Sequence, residues 1–284
     1  MTQPAWSPDQ IARYTCLRTP QPLLVDGRLR GRLDQPVWQA APKSPRFVDT
    51  VTGAPGFWDT RAACLWDDDY LYVGFWVEEP FVEAHLTERD SIIFSENDVE
   101  VLIDGGDCYY EFELNALGAI YEVLFIWRDA YTRGSRFDVP EFDLLEREAF
   151  TFAGDYDRQP RTFWRGTHPR GPRWAFLDWD LPGIQWAVHV DGVLNDHTTI
   201  DRGWTAEIAF PWKGLEWLAN GRSLPPNPGD VWRLFFGRFQ KLMPSGIELA
   251  PHPAWVWSSH GVYDTHLPER WPYVTFSDRA VELP

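Results

Sequence analysis

The chain has 284 residues, with 26 Lys and Arg against 42 Asp and Glu for a formal charge of −16, and its 44% hydrophobic content includes 17 Trp, 18 Phe and 10 Tyr. That apolar content excludes intrinsic disorder, and the length suits one all-β domain, residues 1–284, with extended loops. The acidic balance excludes a nucleic-acid partner, whose phosphates need a basic face to displace their counterions, and no stretch approaches the roughly 18 apolar residues of a membrane helix.

From the N-terminus, Met1 to Ser7 lacks a basic segment followed by an apolar run, so a soluble, unexported, cytoplasmic chain is expected. Cys16, Cys64 and Cys108 have no metal-ligand spacing and leave one thiol unpaired in any disulfide scheme, which agrees with a reducing compartment. Asp34 is placed to cap a turn running through Pro36 and Trp38. Period-two runs of Val, Ile, Tyr, Phe and Trp then predict strands, among them Arg61–Leu65, Tyr70–Val77, Asp98–Ile103 and Tyr109–Leu114. Tight reversals are expected at Trp66-Asp67-Asp68-Asp69 and Asp104-Gly105-Gly106-Asp107. Residues 128–182 mix nine Arg with Pro and Gly and show weak periodicity, so they are expected to form a long irregular insertion, a lid or rim over one face.

Beyond the insertion, Ile184–Val190, Trp204–Phe210 and Val231–Phe239 complete the strand-like runs. A short apolar segment, Leu215–Leu218, follows Phe210-Pro211-Trp212 and ends at Asn220-Gly221, while Pro225 to Gly229 delivers the chain into the next strand. Many strands with few, short helices predict an all-β fold: a two-sheet antiparallel β-sandwich, jelly-roll-like.

Ordered motifs spread from Asp26 to Phe276 carry a resemblance. They include Val25-Asp26-Gly27-Arg28-Leu29, Leu33-Asp34-Gln35-Pro36-Val37-Trp38, Leu65 to Val73, Asn97 to Asp104 and Tyr110 to Asn115. Gly203 to Trp212, Pro228 to Arg233, Trp255-Val256-Trp257-Ser258 and His266 to Trp271 continue the series. Together these resemble the family 9 carbohydrate-binding modules, and more closely a bacterial group of stand-alone family 9-like proteins. The resemblance implies a β-sandwich and a sugar held between two Trp rings, with Glu, Arg and Asn around its hydroxyls. It places Glu100 at the Glu, Asn115 at the Asn, Phe94 at the first ring, Glu113 where the Arg belongs, and Thr265 and His266 near the second ring. Calcium is the cofactor that the resemblance implies, and Asp67, Asp69 and Asp104, with Asp68 and Asp107, offer hard oxygens for it.

Period-two alternation puts Asp98 and Glu100 on one side of their strand, and Glu111, Glu113 and Asn115 on one side of the next. Glu207 also faces away from the apolar side of its run, so four or more carboxylates converge if the strands are neighbours. Such a cluster needs a cation, and Arg238 and Arg233 are the candidates. The expected function is carbohydrate binding on the concave sheet face through Phe94, Glu100, Glu113, Asn115, Arg238 and Trp257, with Trp76 and Trp58 as further platforms. Two alternatives stand beside it: an enzyme acting on a sugar or glycoside with His266 and Glu269 as acid and base, and a homo-oligomeric interaction domain without a small ligand.

Overall fold

The computed structural model describes residues 6–30, 36–152, 168–243 and 246–283. Fourteen strands lie among them. The first seven are β1 (Arg13–Arg18), β2 (Val48–Asp49), β3 (Thr60–Trp66), β4 (Tyr70–Val77), β5 (Asp98–Asp104), β6 (Cys108–Leu114) and β7 (Ile120–Trp127). The rest are β8 (Ala149–Phe152), β9 (Arg173–Phe176), β10 (Gln185–Asp191), β11 (Gly203–Pro211), β12 (Val231–Phe239), β13 (Ala254–Val256) and β14 (Tyr273–Ala280). Helix is limited to α1 (Val37–Ala40), α2 (Glu216–Ala219) and a few 3-10 turns.

The strands run in the order β10-β11-β4-β3-β1-β14-β12-β5-β6-β7-β9-β8, with β13 and β2 beside β12. β12 belongs to both halves of this path: Val231 to Arg233 pair with β14, and Leu234 to Phe239 pair with β5. The path thus folds into two layers whose inner faces meet, the first made of β10-β11-β4-β3-β1-β14 and the second of β12-β5-β6-β7-β9-β8. Phe112 of β6 contacts Phe210 of β11 edge-on at 5.6 Å, and Phe236 of β12 lies 6.3 Å from Phe75 of β4. The β-sandwich expected from the sequence is the observed fold. Its pairing is antiparallel except at β1, which lies parallel to both β14 and β3.

Local chemistry explains the turns. Between β3 and β4, Oδ1 of Asp67 accepts hydrogen bonds from the backbone N–H groups of Asp69 and Tyr70, each at 2.8 Å, and closes the hairpin. Between β5 and β6, Gly106 takes a φ of +83° and donates its N–H to Asp104 Oδ1 at 2.8 Å. α2 ends at Asn220, in the left-handed region at φ 46°, as the Asn-Gly pair predicts. The Asp34 cap lies outside the described residues.

The tryptophans go mostly to the interior. Trp66, Trp212 and Trp232 stack edge to face with one another and with Phe276 between the layers. Cys16, Cys64 and Cys108 are all free and buried, and burial raises each thiol pKa, so they behave as small apolar residues. The described parts of the 128–182 stretch, residues 128–152 and 168–182, are more regular than its composition suggests: β8 and β9 pair with each other, and β9 extends the sheet from β7, while the rest of the stretch lies outside the described residues. Its weak periodicity reflects strands of four residues, too short to register as alternation. Among the described residues, no helix is long and apolar enough to cross a membrane.

Candidate functional site

The outer face of the second layer carries a cleft of about 530 Å³. Its floor follows from strand register. Glu100 of β5 lies opposite Gly237 of β12 on one side and Glu113 of β6 on the other, and Glu113 in turn faces Tyr121 of β7. Gly237 cannot carry a side chain there, since a Cβ would come within 2.5 Å of the Phe235 ring. One step along the same face, Glu111 lies opposite Leu102, and Asp98 sits opposite Phe239.

Four carboxylates therefore do converge, but Glu207 is not among them. It lies on the outer face of the other layer, accepting from the Trp38 indole at 2.7 Å and from the Asp26 and Gly27 amides. Period two assigns a side to each strand but not a layer.

Aromatic rings wall the cleft: Phe94, Tyr121, Phe125, Phe239 and Tyr263, with Phe150 and Phe152 supplied by β8 from within the 128–182 stretch. Thr265 and His266 complete the rim beside the loop Ala250 to His252. Asp98, Glu100 and Glu113 are almost fully buried. Burial drives the carboxyl pKa of Asp98 upward, and burial followed by the charges of Asp98, Glu100 and Glu111 does the same for Glu113.

His266 turns its ring into this site. Its Nδ1 is 3.1 Å from the Tyr109 hydroxyl, its Nε2 is 3.6 Å from Glu111 Oε1, and its ring centroid is 4.5 Å from that of Phe152. Buried Arg173 of β9 donates to the His266 carbonyl at 2.5 Å and stacks over Trp127 at 4.5 Å, which holds the loop in place.

The structure thus brings Phe94, Glu100, Glu113 and His266 together, and leaves other sequence candidates elsewhere. Arg238 points inward between the layers, where it meets Thr60, the Glu78 carbonyl, Glu79 and Gln240. It shares a face of β12 with Leu234 and Phe236, which the same alternation dictates. Trp257 packs in the core on Tyr14 and Phe236. Trp58 rests on Trp255, and Trp76 lies on the far side of the first layer with Lys43 above it at 4.0 Å. Among the described residues no tryptophan lines the cleft, and their stacking surface is built from Phe and Tyr.

Asn115 organises the β6–β7 turn, accepting from Leu117 and Ala119 and donating to the Leu86 carbonyl and to Glu96. Glu269 faces a separate, smaller cleft with His168, 3.0 Å away, rather than His266, so the proposed acid–base pair is not formed. Arg233 lines that smaller cleft as well.

The three expected calcium ligands are also apart. Asp67 caps its own hairpin and accepts from Tyr72, and the backbone carbonyl of Asp69 accepts from Trp212. Asp104 belongs to the β5–β6 turn. Asp68 pairs with Arg18 at 2.5 Å and Asp107 with Arg136 at 2.5 Å. Acidic hairpin turns close on their own amides, which leaves no convergent oxygen set.

Tyr121, Phe125, Phe150, Phe152, Phe239 and Tyr263 line the cleft without a sequence signal that marks them as lining residues. β7 is buried along its whole length, so apolar residues on both faces hide which side opens to a ligand.

The loop that presents Thr265 and His266 rests on His260, which is fully buried and donates from Nδ1 to the Asp264 carbonyl at 2.7 Å, while Arg270 donates to the His260 carbonyl. Burial pulls its pKa down to about 4. An unfolded His titrates near 6.5, so the unfolded chain binds the proton first as pH falls. Stability is intact above about pH 6.5 and is lost between there and about pH 4, at up to about 1.4 kcal/mol per pH unit. Urea midpoints measured at pH 7 and pH 4.5 should show this slope in the wild type and a shallower one in His260→Asn; equal slopes would exclude His260 as its source.

No family model matches the chain, and no curated protein matches it in sequence. Solved structures do. A candidate carbohydrate-binding protein from Bacteroides uniformis ATCC 8492 superposes with a TM-score of 0.56 at 13% identity, over 94% of this chain and 100% of that one. A family 9 carbohydrate-binding module from Caldicellulosiruptor kristjanssonii in complex with cellotriose gives a TM-score of 0.49 at 11% identity, covering 94% of this chain and 95% of that one. The same module in complex with glucose gives 0.49 at 11%, covering 95% and 98%. The chain therefore shares the β-sandwich fold of the Bacteroides protein along almost its whole length.

Proposed function

We propose that this protein binds a carbohydrate in the cleft on the outer face of the second layer. One observation carries the reading: buried carboxylates, with Glu100 and Glu113 directly opposed, form a floor beneath walls of seven Phe and Tyr rings. Sugars present two surfaces, flat C–H faces that pack on rings and hydroxyls that donate to carboxylates, and this cleft offers both. The fold shared with the candidate carbohydrate-binding protein from Bacteroides supports it. In this reading Glu100, Glu111 and Glu113 accept the hydroxyls, while Phe152 and Tyr121 cover a ring face.

A thermal-shift screen against mono- and disaccharides, followed by calorimetry on any hit, tests the proposal. A sugar at about 100 times its dissociation constant adds roughly 2.7 kcal/mol to native stability. Glu100→Gln should weaken that sugar by about ten- to a hundredfold, the worth of hydrogen bonds to a charged acceptor, with a cooperative unfolding transition retained. Unchanged affinity in Glu100→Gln would place the sugar elsewhere.

A second reading rests on His266 beside Glu111, a base within reach of a carboxylate inside the same cleft. Consumption of the bound sugar by the wild type, lost in His266→Gln, would make the site catalytic.

A further inference from the structure

Asp98, Glu100 and Glu113 offer oxygens that all lie within 4.8 Å of one another, and all three side chains are buried. The Oδ2 atom of Asp98 and the Oε2 atom of Glu113 have no hydrogen-bond partner, although Oδ1 of Asp98 accepts from the Phe239 amide at 3.0 Å. Leaving a buried acceptor without a donor costs about 1–3 kcal/mol, and more for a charged one. Like charges directly opposite across a β-pair add repulsion.

Among the described residues no Lys or Arg lines the cleft, so none of them offsets this from the cleft side. Behind the floor, Arg238 lies near Asp98 but spends its donors on Thr60, Glu78, Glu79 and Gln240. Two orphaned, fully buried oxygens in a crowded acidic trio under an open cleft describe a coordination shell.

We propose that Asp98, Glu100 and Glu113 hold a divalent cation of the hard, oxygen-seeking class, calcium foremost, at the floor of the cleft. Calcium takes oxygens at about 2.3–2.6 Å, so ligands on opposite sides of one ion stand about 5 Å apart, and the trio fits around a single ion. The carboxylates supply three to six of the six to eight oxygens that calcium takes. The remaining positions face the cleft and fall to water. If the cleft binds sugar as proposed above, vicinal hydroxyls fill the same positions. The ion site itself does not depend on that reading.

The test uses EDTA-treated full-length protein, with no sugar present. Calorimetric titration with CaCl2 should show saturable uptake of one ion and a higher melting temperature. Glu113→Gln should weaken uptake by at least about tenfold. Without metal, Glu113→Gln should melt higher than the wild type, because one crowded charge is gone, so its lost response to calcium is not misfolding. A second variant, Asp98→Asn, should lose uptake in the same way. The proposal is overturned by no heat and no melting shift with calcium, magnesium or manganese up to about 10 mM, above the range of weak protein calcium sites. It is equally overturned by a response that both variants retain in full. Either result leaves direct sugar binding to be decided separately, by the sugar titration of wild type and Glu100→Gln carried out on EDTA-treated protein.

Discussion

Arg238→Leu is expected to lower the unfolding free energy by about 3–5 kcal/mol, read from urea denaturation at neutral pH. The guanidinium is buried and meets Thr60 and the Glu78 carbonyl at 2.9 Å each, Gln240 at 3.1 Å and Glu79 at 3.5 Å, with the Trp255 ring 5.0 Å away. Burial lowers its pKa to about 10, still well above neutral, so it stays charged and Glu79 depends on it. Leucine leaves the Glu79 charge in the interior, and that uncompensated charge accounts for most of the loss. Adding Glu79→Gln to Arg238→Leu should recover part of it, because the charge is then gone while the acceptor for Trp204 Nε1 remains. A loss below about 1 kcal/mol, the scale of an exposed ion pair, would show that this network is dispensable. Sugar affinity should be unchanged in Arg238→Leu wherever the protein is folded, in contrast to Glu100→Gln.

Glu207→Ala should cost about 3 kcal/mol or more by the same measurement, since one buried carboxylate satisfies three donors and each orphaned donor costs about 1–3 kcal/mol. Its oxygens accept from the Trp38 indole at 2.7 Å and from the Asp26 and Gly27 amides at 3.0 and 3.2 Å. Those bonds tie the segment between β1 and β2 onto the outer face of the first layer, where Leu29, Val37 and Trp38 are buried against Ala63, Leu65, Tyr72 and Trp76. Thr205 helps by donating to the Gly27 carbonyl at 2.6 Å. Hydrogen exchange at Gly27 and Trp38 should rise more than in β5 and β6. Glu207→Gln, whose single oxygen serves the two backbone amides but whose N–H then faces the Trp38 indole, should fall between alanine and wild type. Uniform exchange across the chain would contradict an anchoring role.

The sequence carries the layers well and the site unevenly. Alternation in Asp98–Asp104 and Cys108–Leu114 places Glu100, Glu111 and Glu113 on one face, and the register then sets Glu100 against Glu113. The same logic locates Arg238 on the apolar side of its strand, where its charge is paired with Glu79 instead of a ligand. What alternation does not carry is which outer face opens into a cleft. Glu207 and Glu100 have the same signature, yet one is sealed under Trp38 and the other floors an open site.

The abundance of tryptophan points to stacking, but the largest rings fill the space between layers, and smaller rings from five separate segments wall the cleft. Phe150 and Phe152 come from a strand of four residues amid Pro and Arg, too brief for a period to show. Glu269 is near His266 in sequence but a 3-10 turn, Pro268–Arg270, swings it towards His168.

A crystal structure grown with the sugar that gives the largest thermal shift decides whether the cleft between Glu100, Glu113 and the β8 wall is the carbohydrate site. That sugar is expected in the cleft, with hydroxyls within hydrogen-bond distance of Glu100 or Glu113 and a ring face against Phe152 or Tyr121. Sugar density in the small cleft of His168 and Glu269, or beside Trp76 on the opposite layer, with this cleft vacant, would contradict it.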